Sequence, residues 1–208
     1  MDRHAQGCGA AQLLRPRVSG DFDFTEHLRR LCVDMVARLP QLSHIDLERI
    51  LVAFGQARKR TSYGLYASLT PLRFRNGSLT EKRRGRLYTV QRVYDQRGRE
   101  MLYILTFYLP RFMELGFRAK LITILHELWH VSPEFNGDLR RHPGRCYAHT
   151  PSQQGYDAEM DRLVEQWLAT TPSAVLYDFL HGSFADLIAQ HRRIHGVKIR
   201  RPKLVPLP

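Results

Sequence analysis

The sequence predicts an α+β domain: a small antiparallel sheet, one buried helix that carries polar groups, and C-terminal helices packed around them. Three observations lead there. Runs rich in β-branched and aromatic residues cluster between residues 50 and 109. Segments with apolar residues at helical spacing flank them on both sides. A segment around residue 124 is apolar almost all round, yet it holds His126, Glu127 and His130.

Residues 1–20 mix Gly, Ala, Arg and Pro without a period, which predicts a loose arm. A single domain is expected over 21–195, with its core in 45–150. Phe24, Leu28, Leu31, Cys32, Met35, Val36 and Leu39 recur at helical spacing, with Asp23 placed to cap and Pro40 to stop. Ile50–Phe54 reads as a strand and residues 63–72 as a second. Leu87–Tyr94 and Met101–Leu109 flank the polar, Gly-containing stretch 95–100, which predicts a hairpin. A helix is expected over 117–131, ended by Pro133. The stretch 132–155, rich in Gly, Pro and polar residues, reads as an ordered loop over the site. C-terminal helices are expected within 156–191, over 156–168 and 173–191. The basic, Pro-rich tail 196–208 should be extended.

Composition narrows the setting. Cys8, Cys32 and Cys146 are odd in number and form no C-x-x-C pair, so neither a disulfide framework nor a zinc ribbon is predicted. The start of the chain lacks a signal-peptide apolar core, and the apolar stretch 101–109 is about half a membrane span. These features predict a cytoplasmic protein with no membrane partner. The net charge of +12 predicts attraction to polyanions or acidic partners.

The chemistry concentrates in His126-Glu127-Leu128-Trp129-His130, an H-E-x-x-H pattern. On a helix it sets two imidazoles one turn apart on one face with a carboxylate beside them. Burying such groups without partners costs roughly 1–3 kcal/mol each, and a zinc ion would satisfy them. His126 and His130 are then metal ligands, and Glu127 is the base for an attacking water, which predicts a zinc-dependent hydrolase acting on protein or peptide. Zinc needs a third protein ligand, and His142, Glu159, His149 and Cys146 are candidates. Glu134, Asn136 and Asp138 follow the motif and either orient the histidines or cap turns; turn capping is the expectation for Asn136-Gly137.

The stretch from His126 through Pro133, Phe135 and Gly137 to His142 resembles a family of metallopeptidases found in phages and prokaryotes. These carry H-E-L-x-H, then Pro, an aromatic residue, Gly and a further His about a dozen residues on. It is more distantly similar to SprT-like zincins, from which it departs in lacking a cysteine-rich zinc ribbon. The resemblance covers roughly residues 100–150. It implies a minimal zincin-like domain, His126, His130 and His142 as zinc ligands, and Glu127 as general base. It also implies an extended substrate lying along a strand beside the active helix, for which 101–109 is the natural candidate.

Residues 58–86 carry nine positive charges against Glu81, with Tyr63, Tyr66 and Phe74 interleaved. Arginine among aromatics suits phosphate contact and base stacking, so nucleic acid is a candidate partner. Two rival readings follow: a protease recruited by DNA, and a non-catalytic zinc-stabilised module that binds nucleic acid.

Overall fold

The computed structural model describes residues 20–57, 64–141 and 153–208, with side chains described from 158 onward in the last segment. The expected arm, apart from Gly20, lies outside these residues.

A short strand β1 (Asp21–Asp23) leads directly into α1 (Phe24–Arg38). The Asp23 carboxylate caps the helix by accepting the Glu26 N–H at 3.0 Å, and Pro40 follows its end. Phe24, Leu28, Leu31, Cys32 and Met35 are buried, on the face that the spacing predicts.

The chain then lays down β2 (Ile50–Gln56), β3 (Ala67–Pro71), the paired β4 (Thr80–Arg83) and β5 (Arg86–Val90), and β6 (Tyr103–Leu109). The main sheet has the order β2-β6-β3, with β2 parallel and β3 antiparallel to the central β6. Two expectations are thereby corrected. The sheet is mixed rather than antiparallel, and the segments 87–94 and 101–109 do not form a hairpin sheet. Their polar turn does fold, with the Asp95 carboxylate accepting the N–H groups of Arg97 and Arg99, but the flanks meet only in a bridge between Tyr94 and Glu100. The reason is burial. β6 buries Tyr103, Leu105, Phe107 and Leu109 on one face and Ile104 on the other, in two separate cores, and a strand covered on both faces belongs in the middle of a sheet. β5, exposed at Arg86 and Leu87, cannot cover it and joins β4 in a separate small sheet.

Helix α2 (Phe117–Trp129) lies against β3 and α3 (Gln153–Ala169). Leu121, Ile124, Leu125 and Leu128 of α2 and Met160, Leu163, Val164 and Trp167 of α3 share one core. Arg118 ties the start of α2 to α3 through Asp161 at 2.7 Å and Glu165 at 2.5 Å. The predicted helix over 173–191 is broken: single turns at Ala174–Leu176 and Asp178–His181 precede α4 (Phe184–Gln190). The break follows from two sets of competing bonds. Ser183 and Asp186 form a reciprocal capping box that starts α4 afresh. The carbonyls of Leu180 and Gly182 meanwhile accept from Lys120 Nζ at 2.8 and 2.6 Å. Lys120 is 1% exposed, and burial holds its ammonium below the ordinary lysine range, against the pull of Glu114 and Asp186.

The tail is extended, as expected, but it is docked. β7 (Arg193–His195) pairs with β1, the Val197 carbonyl accepts the Phe54 N–H at the outer edge of β2, and β8 (Leu204–Pro206) adds to β5. Ala53, Leu72, Met101 and Ile104 form a second small core beneath Val90, Val93 and Ile199. Among the described residues, no helix is long and apolar enough to cross a membrane.

Candidate metal centre

His126 and Glu127 lie in the last turn of α2, and His130 is the residue that ends it. The expected helix to Val131 therefore stops two residues early. Its end is closed by Arg140, which donates from Nε to the Trp129 carbonyl at 2.7 Å and lays its guanidinium 4.2 Å from the centre of the Trp129 ring. A cation here also meets the negative end of the helix dipole.

The i, i+4 spacing does what the sequence predicts. The Nε2 atoms of His126 and His130 approach to 2.9 Å, with the rings nearly perpendicular at 79°. Two imidazole nitrogens on one tetrahedral zinc stand roughly 3.3 Å apart, so a small rotation of either ring would admit the ion. On this test the donor pair fits a divalent metal that favours imidazole.

Glu127, next to the half-buried histidines in the helix, is buried and reaches the sheet. Its Oε2 accepts the backbone N–H of Leu69 on β3 at 2.7 Å. Among the described residues, no donor is bonded to Oε1. Burial pushes the carboxyl up to about 7, and the Leu69 N–H, which favours the charged form, opposes that rise.

Residues 132–141 form an ordered turn beside the helix end, and Asp138 is its centre. This carboxylate, 5% exposed, accepts from the Asn76 N–H at 2.9 Å and the Leu139 N–H at 2.8 Å. Arg141 grips it with two bonds, at 2.9 and 2.8 Å. Burial works to raise its pKa, but the Arg141, Asn76 and Leu139 bonds together outweigh that and hold the carboxyl below the usual aspartate range. The Tyr103 hydroxyl donates to the Asp138 carbonyl at 2.7 Å and accepts the Gly137 N–H at 3.0 Å. Gly137, at φ +87°, packs so closely on Arg73 that an added Cβ would stand 2.5 Å from its Cγ. Asn136 caps the turn by accepting the Asp138 N–H at 3.1 Å, as expected. The backbone then returns to the motif, where the Arg140 N–H donates to the His130 carbonyl at 2.7 Å.

The candidates for third ligand divide cleanly. His142, Cys146 and His149 lie outside the described residues. Glu159 is on α3, in an ion pair with Arg162 at 2.6 Å. Among the described residues, no group of three His, Cys, Asp or Glu side chains is gathered for a metal ion. The structure thus brings His126 and His130 together, with Glu127 on the adjoining face.

The strand expected to shape the substrate groove is corrected. Both edges of β6 are paired, whereas the outer edge of β3 faces α2. Leu69 and Ala67 point their backbone groups away from β6, and Leu69 uses its N–H to hold Glu127. Of the basic segment, Arg58, Lys59, Arg60 and Tyr63 lie outside the described residues. Arg73 is turned inward to Glu100 at 2.7 Å, and Phe74 is buried under the Arg83 guanidinium, so neither offers the phosphate or base contact expected of it. Arg75, Lys82, Arg84 and Arg86 are exposed.

Sequence reasoning missed Leu69 and Arg140 as parts of this region, and Lys120 as the donor to the Leu180 and Gly182 carbonyls. A backbone N–H leaves no mark in a sequence, and Arg140 is one basic residue among many. Lys120 carried a signal that was available: a lone lysine in a helix apolar nearly all round. Compared with protein-family models, curated proteins and solved structures, the chain matches none of them.

Proposed function

We propose that this protein is a zinc-dependent peptidase of minimal zincin-like design. The observation that carries the reading is the meeting of the His126 and His130 Nε2 atoms at 2.9 Å, with the Glu127 carboxylate fixed on the adjoining helix face. His126 and His130 would hold the ion, with His142 as the third ligand. A zinc ion there would polarise the scissile carbonyl and make an attacking water more acidic.

The chain's own residues supply the rest. Glu127 accepts the proton of the attacking water at Oε1 while Oε2 stays anchored to Leu69, and it then returns that proton to the leaving nitrogen. The anchor fixes the carboxylate between sheet and helix, which keeps it from swinging onto the metal. An extended substrate would lie along the outer edge of β3, where Ala67 presents its N–H and carbonyl outward and Leu69 its carbonyl, the Leu69 N–H being held by Glu127. That edge runs beside the helix that holds the reacting groups, so a peptide bound there would lie near the base.

The test is hydrolysis of a pool of internally quenched peptides by wild-type protein loaded with zinc. Turnover should vanish with a chelator and fall at least about 100-fold in Glu127→Gln, which should retain its zinc. Glu127→Gln activity equal to the wild type's would overturn the assignment.

A further inference from the structure

Away from the histidine pair, the docked tail builds a cleft that the peptidase reading does not use. β8 pairs with β5 up to Leu204–Val90, and Lys203 is held to Gln91 by a 2.9 Å backbone bond. Beyond that point the two segments diverge and enclose a cleft of about 520 Å³ between residues 91–94 and 199–203. Its floor is fixed, because Val93 and Ile199 both pack on the second small core. Arg92 and Tyr94 are exposed on one wall. Arg200, Arg201 and Lys203 are exposed on the other.

The lining is cationic, with Arg92, Arg200, Arg201 and Lys203 and no acidic side chain. Among the described residues, Arg200, Arg201 and Lys203 have no carboxylate partner. Glu100 reaches Arg92 at 3.6 Å, but its shorter contact, 2.7 Å, is to Arg73. Tyr94 stands among these cations 52% exposed. Three neighbouring cations without a carboxylate partner among the described residues, with Arg92 on the facing wall, suit an anion of more than one charge, and guanidinium forks match phosphate oxygens. An exposed tyrosine ring beside them offers a face for a base.

We infer that the cleft between residues 91–94 and 199–203 binds the backbone of single-stranded nucleic acid, with a base stacked on Tyr94. The volume suits one or two nucleotides. The exposed Lys82, Arg84 and Arg86 lie at the other end of the same small sheet and are not part of the cleft.

Fluorescence anisotropy with a labelled oligothymidylate of about ten nucleotides tests this on the full chain. If three to four phosphates are neutralised, affinity should fall roughly 20- to 50-fold between about 50 and 200 mM salt. The double variant Arg200→Glu, Arg201→Glu should weaken binding at least about tenfold, and Lys82→Glu, Arg84→Glu less than about threefold. Tyr94→Ala should lose about fivefold or more toward the oligonucleotide and nothing toward inorganic polyphosphate. All three variants change exposed side chains, and coincident thermal melts confirm that each is folded. Four results would each overturn the inference: no binding by the wild type at low salt, equal losses in both charge variants, no effect of Tyr94→Ala, or an oligoglutamate bound as tightly as the oligonucleotide.

Discussion

Replacing Asp138 with Asn probes how the loop beyond the motif is held. The two side chains have nearly the same shape, so the change removes charge and one acceptor. In the native protein Oδ1 accepts from Leu139 and Arg141, and Oδ2 from Asn76 and Arg141. An amide keeps one oxygen, and its NH₂ group must face the donors on the other side. Two of these bonds are lost, and the Arg141 pair loses its charge. Bonds to a charged group contribute about 1.5–3 kcal/mol each, while relief of the buried charge returns part of that. A net loss of about 2–4 kcal/mol is expected. For a chain of this length that lowers Tm by roughly 5–15 °C. The pH dependence identifies the cause. The Asp138 carboxyl is held below its ordinary value when folded, so its stabilisation is full above the ordinary aspartate range and is lost as pH falls through the folded value. Thermal melts of both proteins from pH 7 downward should therefore show a gap that narrows in acid, below about pH 4. A gap under about 0.5 kcal/mol at pH 7, or one that stays constant into acid, would refute the reasoning.

Other expectations follow from single residues. Lys120→Met should destabilise by about 1–3 kcal/mol in denaturant melts, because the Leu180 and Gly182 carbonyls lose their donor while the desolvation of a buried ammonium is relieved. Cys32 is wholly buried, and burial pushes its thiol up to about 12; mass spectrometry should find it unalkylated in native protein and modified after denaturation. Gly137→Ala should lower stability by about 1–3 kcal/mol, as φ +87° and the approach of Arg73 both oppose a Cβ; an unchanged Tm would contradict the observed turn.

The local elements were readable because their signals are local. Asp23 and Pro40 bracket α1, and the i, i+4 histidines meet as helical geometry requires. Strand pairing was not readable in the same way. The polar turn at 95–98 looks like a hairpin signal, and it does form a turn. Which strands pair was decided instead by β6, whose two covered faces demand a central place between β2 and β3. The break at Gly182–Ser183 was hidden for a related reason: the donor that draws its carbonyls away from a helix is Lys120, some sixty residues distant in the chain. In the site, His126, Glu127 and His130 were named from spacing alone. The Leu69 N–H that anchors Glu127 belongs to no side chain, and only the packing of β3 on α2 reveals it.

The central claim is that the histidine pair holds a metal, and elemental mass spectrometry of purified protein tests it most directly. Wild-type protein should carry about one zinc per chain, and His130→Ala and His142→Ala should each carry far less. Protein that holds no zinc after reconstitution, or His130→Ala that binds it as fully as the wild type, would contradict the account.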